Sequence, residues 1–219
     1  MPRALFEKTG NAAYISHLDL MRLFQRSFKR AGLALTHTKG FNPRPSVSIA
    51  LPLSLGVESH CELLDFDLEG EQVSCSEIQE RLNQTLTEGI RILNVYETGS
   101  KLKELAFLSC KIVLEYDSGI AVDADRQIEE LFRQSEIIVE KKGKNGVTEQ
   151  NISPMIQRLS VVKLNSEELC MEAIINCQNP SLNPAQLVSA ITKYLPHLSP
   201  DFSRICREEI FNTKKEIFR

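Results

Sequence analysis

The sequence predicts an α+β protein of two tandem ferredoxin-like units, each with the element order β-α-β-β-α-β and the second with extra strands. Hydrophobic residues form 42% and charged residues 25% of the 219 residues, which is typical of globular chains and not of disordered ones. Helix-period and strand-period stretches follow one another in the same order in both halves. A short linker at residues 99–104 separates the predicted domains, residues 1–98 and 105–219. The main alternative is one continuous sheet that carries four helices.

The first half opens with a predicted strand at residues 3–8 and a short extended piece at residues 12–15. Ser16 and Asp19 form a capping-box-like pair that starts a helix, and Gly32 ends it. The remaining elements are strands at residues 47–51, 62–68 and 90–97 and a helix that begins at the capping box of Ser74 and Glu77 and ends at Gly89. Asp65 and Asp67 alternate along the 62–68 strand, so we expect them to face solvent.

The second half repeats this order with insertions. Asp123 is expected to cap one helix, and Asn183-Pro184 has the pattern of a second helix start. The predicted strands are residues 105–116, 136–142, 158–164, 169–176 and 205–211, with a tight turn at residues 143–146. The acidic second half is otherwise expected to be scaffold, with a frayed tail at residues 213–219.

The composition also bears on location and metal binding. No apolar run is long enough to cross a bilayer and no leader-like segment opens the chain, so a cytoplasmic protein without a membrane partner is predicted. The six cysteines include no CxxC pair, so they are expected to be buried reduced thiols. His60, Cys61 and Glu58 lie close in sequence but have no spaced partner ligands, and no metal site is predicted.

Positive charge is concentrated at one end of the chain. Residues 1–45 contain eight Lys and Arg against two acidic residues and carry +6, whereas the remainder of the chain carries −9. On the first helix, four bases share the side opposite the apolar stripe: Arg22, Arg26, Lys29 and Arg30. Like charges on one helix face repel one another unless an anion faces them. Phosphate backbone, an acidic protein surface and the chain's own C-terminal half are the three candidate anions.

A second candidate binding element follows that helix at residues 37–45. Two prolines stiffen this segment, and Gly40 permits backbone conformations that are open to few other residues. The predicted binding side chains are Lys39, Phe41, Asn42 and Arg44, with the Phe41 ring available for stacking on a base. A plain connection stiffened by proline is the alternative interpretation.

Three segments of the first half, residues 14–32, 40–45 and 51–59, resemble a radical-SAM-linked family of domains of unknown function. They read YISHLDLMRLFQRSFKRAG, GFNPRP and LPLSLGVES. Family members stand alone or extend B12-binding radical-SAM enzymes, so the resemblance implies a bacterial protein with a radical-SAM enzyme as partner. Any iron–sulfur cluster, SAM or cobalamin is expected in that partner only, because this chain lacks the cysteine triad of a cluster. The genes associated with this family, for ribonucleases and ribosomal proteins, are a further implication of the resemblance and point toward RNA or translation.

Three functions follow as hypotheses. The first is an RNA-binding accessory protein that acts with a radical-SAM enzyme in RNA or ribosome-related modification or processing. The second is a protein-docking module for that enzyme without RNA contact. The third is a metal-independent ribonuclease, since tandem ferredoxin-like units with a basic face are similar to CRISPR-type RNA-processing endonucleases. In that case His17, Tyr14 and His37 are the candidate acid–base residues, although a structural role for His17 is the simpler interpretation. No hydrolase, nucleotide-binding or zinc-protease motif is present, so an enzyme acting alone is the minority hypothesis.

Overall fold

The protein is described here by a computed structural model that covers residues 2–70, 73–143 and 146–219. Within these residues it is a mixed α+β protein with four α-helices and antiparallel strand pairs, so the predicted class is confirmed. Two compact units divide the chain: one comprises the residues up to Leu102 together with Arg219, and the other is Lys103–Phe218. The finer assignment of tandem ferredoxin-like domains stays a prediction. No described helix is both long enough and apolar enough to span a bilayer.

The first unit has the order strand–helix–strand–strand–helix–strand. Its elements are β1 (Pro2–Lys8), α1 (His17–Arg30), β2 (Val47–Ile49), β3 (Glu58–Phe66), α2 (Cys75–Asn83) and β4 (Ile90–Glu97). The strands lie in the order β4-β1-β3-β2 with antiparallel neighbours. Phenylalanines join α1 to this sheet: Phe24 meets Phe6, and Phe28 meets Phe66, each pair with ring centroids 4.9 Å apart. These contacts fix the side of α1 that faces the core, and hence the side that faces away.

The start of α1 is confirmed and the segment before it is corrected. The Ser16 hydroxyl accepts the Asp19 N–H at 3.2 Å, as the capping pattern predicted. The prediction of an extended piece at residues 12–15 is wrong, because a 3-10 helix spans Gly10–Tyr14. Gly10 has a φ of +57°, and this bend lets the Ile15 N–H reach the Ala12 carbonyl at 2.9 Å.

Asp65 does not face solvent as expected. Its two carboxylate oxygens accept from Nε and Nη2 of Arg3 at 2.6 and 3.0 Å, and both residues are buried. The register of β1 against β3 places these two residues directly opposite each other. Asp67 lies just after the end of β3 and is half-exposed, so the alternation of the two aspartates did not reveal that Asp65 is buried.

Two side chains of α2 bind the backbone of β4, the last strand in the order. The Asn83 amide donates to the Ile92 carbonyl at 2.9 Å and its oxygen accepts the Ile92 N–H at 2.8 Å. The Gln79 amide donates to the Leu93 carbonyl at 3.0 Å. Asn83 thus makes the same pair of bonds that a neighbouring strand would make.

The second unit repeats the pattern with an inserted hairpin. Its elements are β5 (Leu105–Glu115), α3 (Ala124–Phe132), β6 (Ile138–Gly143), β7 (Gly146–Asn151), β8 (Ile156–Lys163), β9 (Glu168–Asn176), α4 (Ala185–Tyr194) and β10 (Phe202–Asn212). Four of the strands lie in the order β10-β5-β9-β8, while β6 and β7 pair only with each other among the described residues. The turn predicted at residues 143–146 includes two residues outside those described.

The starts of α3 and α4 and the C-terminal segment of this unit can be compared with the sequence predictions. Asp123 is the N-cap residue of α3 as predicted, but it has a φ of +56° and its side chain makes no capping hydrogen bond. The Asn183 side chain does cap, because its oxygen accepts the Ala185 N–H at 3.0 Å. The tail is not frayed: Phe218 is buried and its N–H donates to the Ile210 carbonyl at 2.9 Å. Burial of that aromatic ring outweighs the entropy of a free end.

The cysteines are reduced, and four of the six are buried: Cys61, Cys110, Cys170 and Cys177. Burial raises the pKa of Cys110 to about 12 and that of Cys177 to about 11. These thiols are therefore neutral at physiological pH and serve as small apolar core groups.

Candidate nucleic-acid interface

The basic helix face comprises the side chains of Arg22, Arg26, Lys29 and Arg30 on α1. All four are exposed, while Leu20, Phe24 and Phe28 on the opposite side are buried. This separation is the one that the helical period predicts, since residues spaced by three or four positions share a side.

Two of these bases have partners within their own unit. Arg22 donates to Asp19 at 2.9 Å in an exposed i,i+3 ion pair, and Arg30 donates to the Thr85 carbonyl at 3.1 Å. Arg26 and Lys29 make no ion pair or side-chain hydrogen bond with any described residue. Asp19 is fully exposed, and its hydrogen bonds from Ser16 and Arg22 lower its pKa. The basic helix face therefore has two cations without an ion pair to a described residue, Arg26 and Lys29. Its other two cations, Arg22 and Arg30, are held by hydrogen bonds.

The basic loop is residues 37–45, and backbone hydrogen bonds hold its two arms together. Thr38 donates its N–H to the Arg44 carbonyl at 2.8 Å, and the Thr38 hydroxyl accepts the Arg44 N–H at 3.0 Å. Below them His37 pairs with Pro45 as an isolated antiparallel bridge. The loop is consequently a short hairpin on an ordered base.

The tip of the basic loop carries the four side chains that the sequence analysis predicted for binding, and their role stays a prediction. Phe41 is fully exposed, and Lys39, Asn42 and Arg44 are exposed around it. Gly40 before it has a φ of +145°, which a side chain rarely permits. No described acidic residue pairs with Lys39 or with the guanidinium of Arg44. Proteins that bind single-stranded nucleic acid combine aromatic rings, on which bases stack, with cations that contact the phosphates.

The three candidate acid–base residues lie at separate points of the first unit. Tyr14 ends the 3-10 helix and is 65% exposed. His17 is the first residue of α1, is half-buried, and its imidazole makes no hydrogen bond to a described residue. His37 lies at the base of the basic loop with its Nδ1 3.9 Å from a Glu69 carboxylate oxygen. The structure gives no contact that joins these three residues, so their catalytic role stays a prediction.

Two features of this region were missed by the sequence analysis. Lys8 is buried and its Nζ donates to the Ala13 carbonyl at 2.9 Å, which ties the 3-10 helix before α1 to β1. Burial lowers the pKa of Lys8, and the buried Glu62 carboxylate opposes that shift. The presence of Lys8 in the predicted 3–8 strand could have indicated a buried charge. Its partner, the Ala13 carbonyl, lies in a 3-10 helix that the sequence analysis did not predict.

The second missed feature is an exposed apolar patch, defined by Tyr14, Leu18 and Leu55. These side chains are 65%, 68% and 64% exposed. The Gly56 N–H donates to the Ala13 carbonyl at 3.0 Å, which brings the loop that carries Leu55 beside Tyr14. Leu18, the second residue of α1, follows Tyr14 by four positions. Large apolar side chains grouped in solvent are uncommon and indicate an interaction surface.

Comparison with known sequences gives one result. The sequence profile of a family described as uncharacterized and conserved in bacteria, DUF2344, matches residues 2–184. No curated protein shows significant sequence similarity.

Comparison with solved structures gives similarities of fold. One chain of a crystal structure of a Cbf5-Nop10-Gar1 complex is similar with a TM-score of 0.52 at 7% sequence identity; the match covers 95% of this chain and 48% of that one. This chain thus spans about half the length of that relative. An unknown protein from Galdieria sulphuraria gives a TM-score of 0.26 at 10% identity, covering 94% of this chain and 96% of the other. At 7% identity the likeness to the chain of the Cbf5-Nop10-Gar1 complex concerns the fold alone.

Proposed function

The chain belongs to DUF2344, a family of uncharacterized proteins conserved in bacteria, and we propose that it is an RNA-binding accessory protein that acts with a radical-SAM enzyme. The RNA contact is assigned to the basic helix face and the basic loop of the first unit. The radical-SAM part depends on the resemblance of residues 14–32, 40–45 and 51–59 described above.

One observation carries the RNA proposal. Phe41 is fully exposed at the tip of a hydrogen-bonded hairpin, with Lys39 and Arg44 beside it and no described anion paired to either. A stacked base gains about 1–3 kcal/mol on such a ring, and the neighbouring cations attract the phosphates on either side of that base. A purely structural hairpin has no need of an aromatic ring in solvent, because exposing it forfeits the burial energy of the ring.

The fold supports a further proposal, that both units are ferredoxin-like. The order β4-β1-β3-β2 in the first unit corresponds position by position to β10-β5-β9-β8 in the second. The hairpin of β6 and β7 then represents the extra strands expected in the second unit. The similarity to a chain of the Cbf5-Nop10-Gar1 complex supports this arrangement at the level of fold only.

The proposal is tested by fluorescence anisotropy with a pool of short single-stranded RNAs at two salt concentrations. The variant Arg26→Glu/Lys29→Glu/Arg44→Glu removes three cations that have no described partner. The matched control Arg81→Glu/Arg126→Glu/Arg133→Glu makes the same change in net charge at bases that have acidic neighbours on their own helices.

We expect the first variant to lose more than about tenfold in affinity and to reduce the salt slope by about two, since each single-strand phosphate contact contributes about 0.7. The control variant should bind within about twofold of the wild type. Absence of binding to the wild type at low salt, or equal loss in both variants, overturns the RNA proposal.

A second candidate function, a docking module for the radical-SAM enzyme, is favoured by the exposed apolar patch. Leu18→Asp/Leu55→Asp should abolish co-purification with that enzyme while RNA affinity is retained, because neither side chain belongs to the basic helix face or the basic loop. Undiminished co-purification would exclude the patch as the docking surface.

A further inference from the structure

A cavity of about 400 Å³ opens on the sheet of the second unit, on the side away from its helices. The side chains that define it are Ser109, Lys111, Arg158, Ser160, Glu172 and Glu208. Its volume lies in the range of small-molecule sites in proteins. None of these residues belongs to the basic helix face, the basic loop or the apolar patch.

The strand register assembles the cavity from two rows of side chains. Ser109 on β5, Ile174 on β9 and Arg158 on β8 are successive partners across the sheet. A second row lies two positions away on each strand. It consists of Lys111 on β5, Glu172 on β9 and Ser160 on β8, which are partners in the same way. Residues two apart on a strand share a face, so both rows project from the same side.

A β-bulge on β10 adds the Glu208 carboxylate to the border of the cavity. On β10, Arg207 is paired with Cys110 and Glu209 with Ser109, so Glu208 is the additional residue of the bulge. Bulges redirect side chains and occur often beside binding sites. Here the bulge places Glu208 on the border of the cavity and out of the regular alternation of its strand.

The polar groups of the cavity do not satisfy one another. Among the described residues, the side chains of Lys111, Arg158, Glu172 and Glu208 make no hydrogen bond and no ion pair. Lys111 and Glu172 are opposite partners in the register and still form no ion pair. On the same face, Arg204 does bind acids, with its guanidinium 3.0 Å from Glu115 and 2.7 Å from Glu168.

We propose that this cavity binds a small zwitterion of the amino-acid class, with Arg158 holding the carboxylate and Glu172 and Glu208 holding the ammonium group. The planar guanidinium matches a carboxylate at two points, and a primary ammonium donates to several acceptors at once. Lys111 supplies a second cation to the carboxylate end, and the hydroxyls of Ser109 and Ser160 serve neutral polar atoms of the ligand. A zwitterion pairs with the cations and the carboxylates of the cavity at once, whereas a ligand with a single charge would pair with only one of these two sets.

The charge pattern also distinguishes this site from the RNA surface. A phosphate chain brings many negative charges close together, and two carboxylates at the border of the cavity would repel it. The cavity function is therefore independent of the proposed RNA function, and either can fail without the other.

The test is a calorimetric and NMR titration of the full chain with the twenty L-amino acids. For each amino acid that binds, the carboxamide, which lacks the anion, and the N-acetyl derivative, which lacks the cation, are titrated as well. We expect saturable binding of at least one amino acid, amide shift changes centred on β5, β8 and β9, and at least tenfold weaker binding of both derivatives.

Variants assign the binding to the cavity. Arg158→Gln and Glu172→Gln should each weaken binding at least tenfold, while the control Arg126→Gln on α3 leaves it unchanged. Because Arg158 and Glu172 are exposed, neither variant is expected to impair folding, and the thermal midpoint reports this directly. Absence of binding by all twenty amino acids at about 10 mM, roughly ten times a dissociation constant of about 1 mM, overturns the proposal. So does binding that both cavity variants retain in full.

Discussion

Arg3 and Asp65 are 62 positions apart in sequence and form a buried two-point ion pair between β1 and β3, with nitrogen–oxygen distances of 2.6 and 3.0 Å. Nη2 of Arg3 also donates to the Ser100 carbonyl at 3.2 Å. The pair therefore connects the first strand of the unit with its third strand and with the end of the unit. Its geometry is that of the strongest class of protein ion pairs.

Asp65→Asn should lower the free energy of unfolding by about 3–5 kcal/mol, because it removes the carboxylate charge that the buried Arg3 guanidinium meets at two points. Denaturant unfolding measures the loss. Asp67→Asn is the matched control on the same strand end, where the carboxylate is half-exposed and only accepts from Ser46 at 3.3 Å. We expect less than about 1 kcal/mol there. The double variant Arg3→Met/Asp65→Leu should recover most of the stability, and equal losses at positions 65 and 67 would contradict a buried pair.

Phe41→Ala should weaken binding of single-stranded RNA by about 1–3 kcal/mol, which corresponds to about 5- to 150-fold, because a base loses its stacking surface. The thermal midpoint should not change, since the ring is fully exposed. Phe202→Ala removes another exposed phenylalanine, on β10, and should leave RNA affinity intact. Anisotropy titration compares the two variants, and equal effects would show that the basic loop is not specific.

Gly89→Ala should destabilise the first unit by several kcal/mol. A Cβ at this position would collide with the Thr9 carbonyl oxygen and lie 2.8 Å from the Ala12 Cβ, and the residue has a φ of +81°. Gly32→Ala is the control, with a φ of +70° and nothing within 4 Å of its Cβ, so it should lose only about 1 kcal/mol from backbone strain. Denaturant midpoints of the two variants separate crowding from strain. If both variants lose the same amount of stability, the close approach to Thr9 does not contribute to the destabilisation.

The buried thiols should make stability fall as pH rises. Burial raises the pKa of Cys110 to about 12 and of Cys177 to about 11, whereas an unfolded thiol ionises at about 8.5. Between these values the unfolded chain has lost protons that the native chain retains, so the native state is disfavoured as pH increases above about 8.5. Unfolding midpoints at pH 8 and 10 should differ less in a Cys110→Ala/Cys177→Ala variant.

Alkylation provides an independent check on the same thiols. At pH 8.5, iodoacetamide should modify the half-buried Cys75 well before Cys110 and Cys177, because only the thiolate is nucleophilic. Mass spectrometry of digested peptides reports each site. Rapid modification of Cys110 in the native protein would contradict its raised pKa.

Local sequence signals predicted the helices better than they predicted the polar pairings. The Ser16 cap and the two faces of α1 depend on residues within one or two turns, so the period alone identified them. The burial of Asp65 depends on strand register, which brings in a partner far along the chain. An alternating pattern is the same whether its polar face meets water or a buried arginine.

The candidate sites show the same limit. The basic loop was predicted because its prolines, glycine and aromatic residue are contiguous in sequence. The cavity on the second unit was not, because its residues come from four strands between Ser109 and Glu208. Single lysines and glutamates on strands are common, and only the register reveals that these ones meet.

The Asn83 side chain, bonded to both backbone groups of Ile92, has a consequence for the protein in a crowded cell. An open outer strand is a template onto which a strand of another molecule can add, and repeated addition leads to fibrils. On β4 an incoming strand would first have to displace the Asn83 amide, which already forms hydrogen bonds with the N–H and the carbonyl of Ile92. Asn83 therefore protects the outer edge of β4 against the addition of a strand from another copy of the chain.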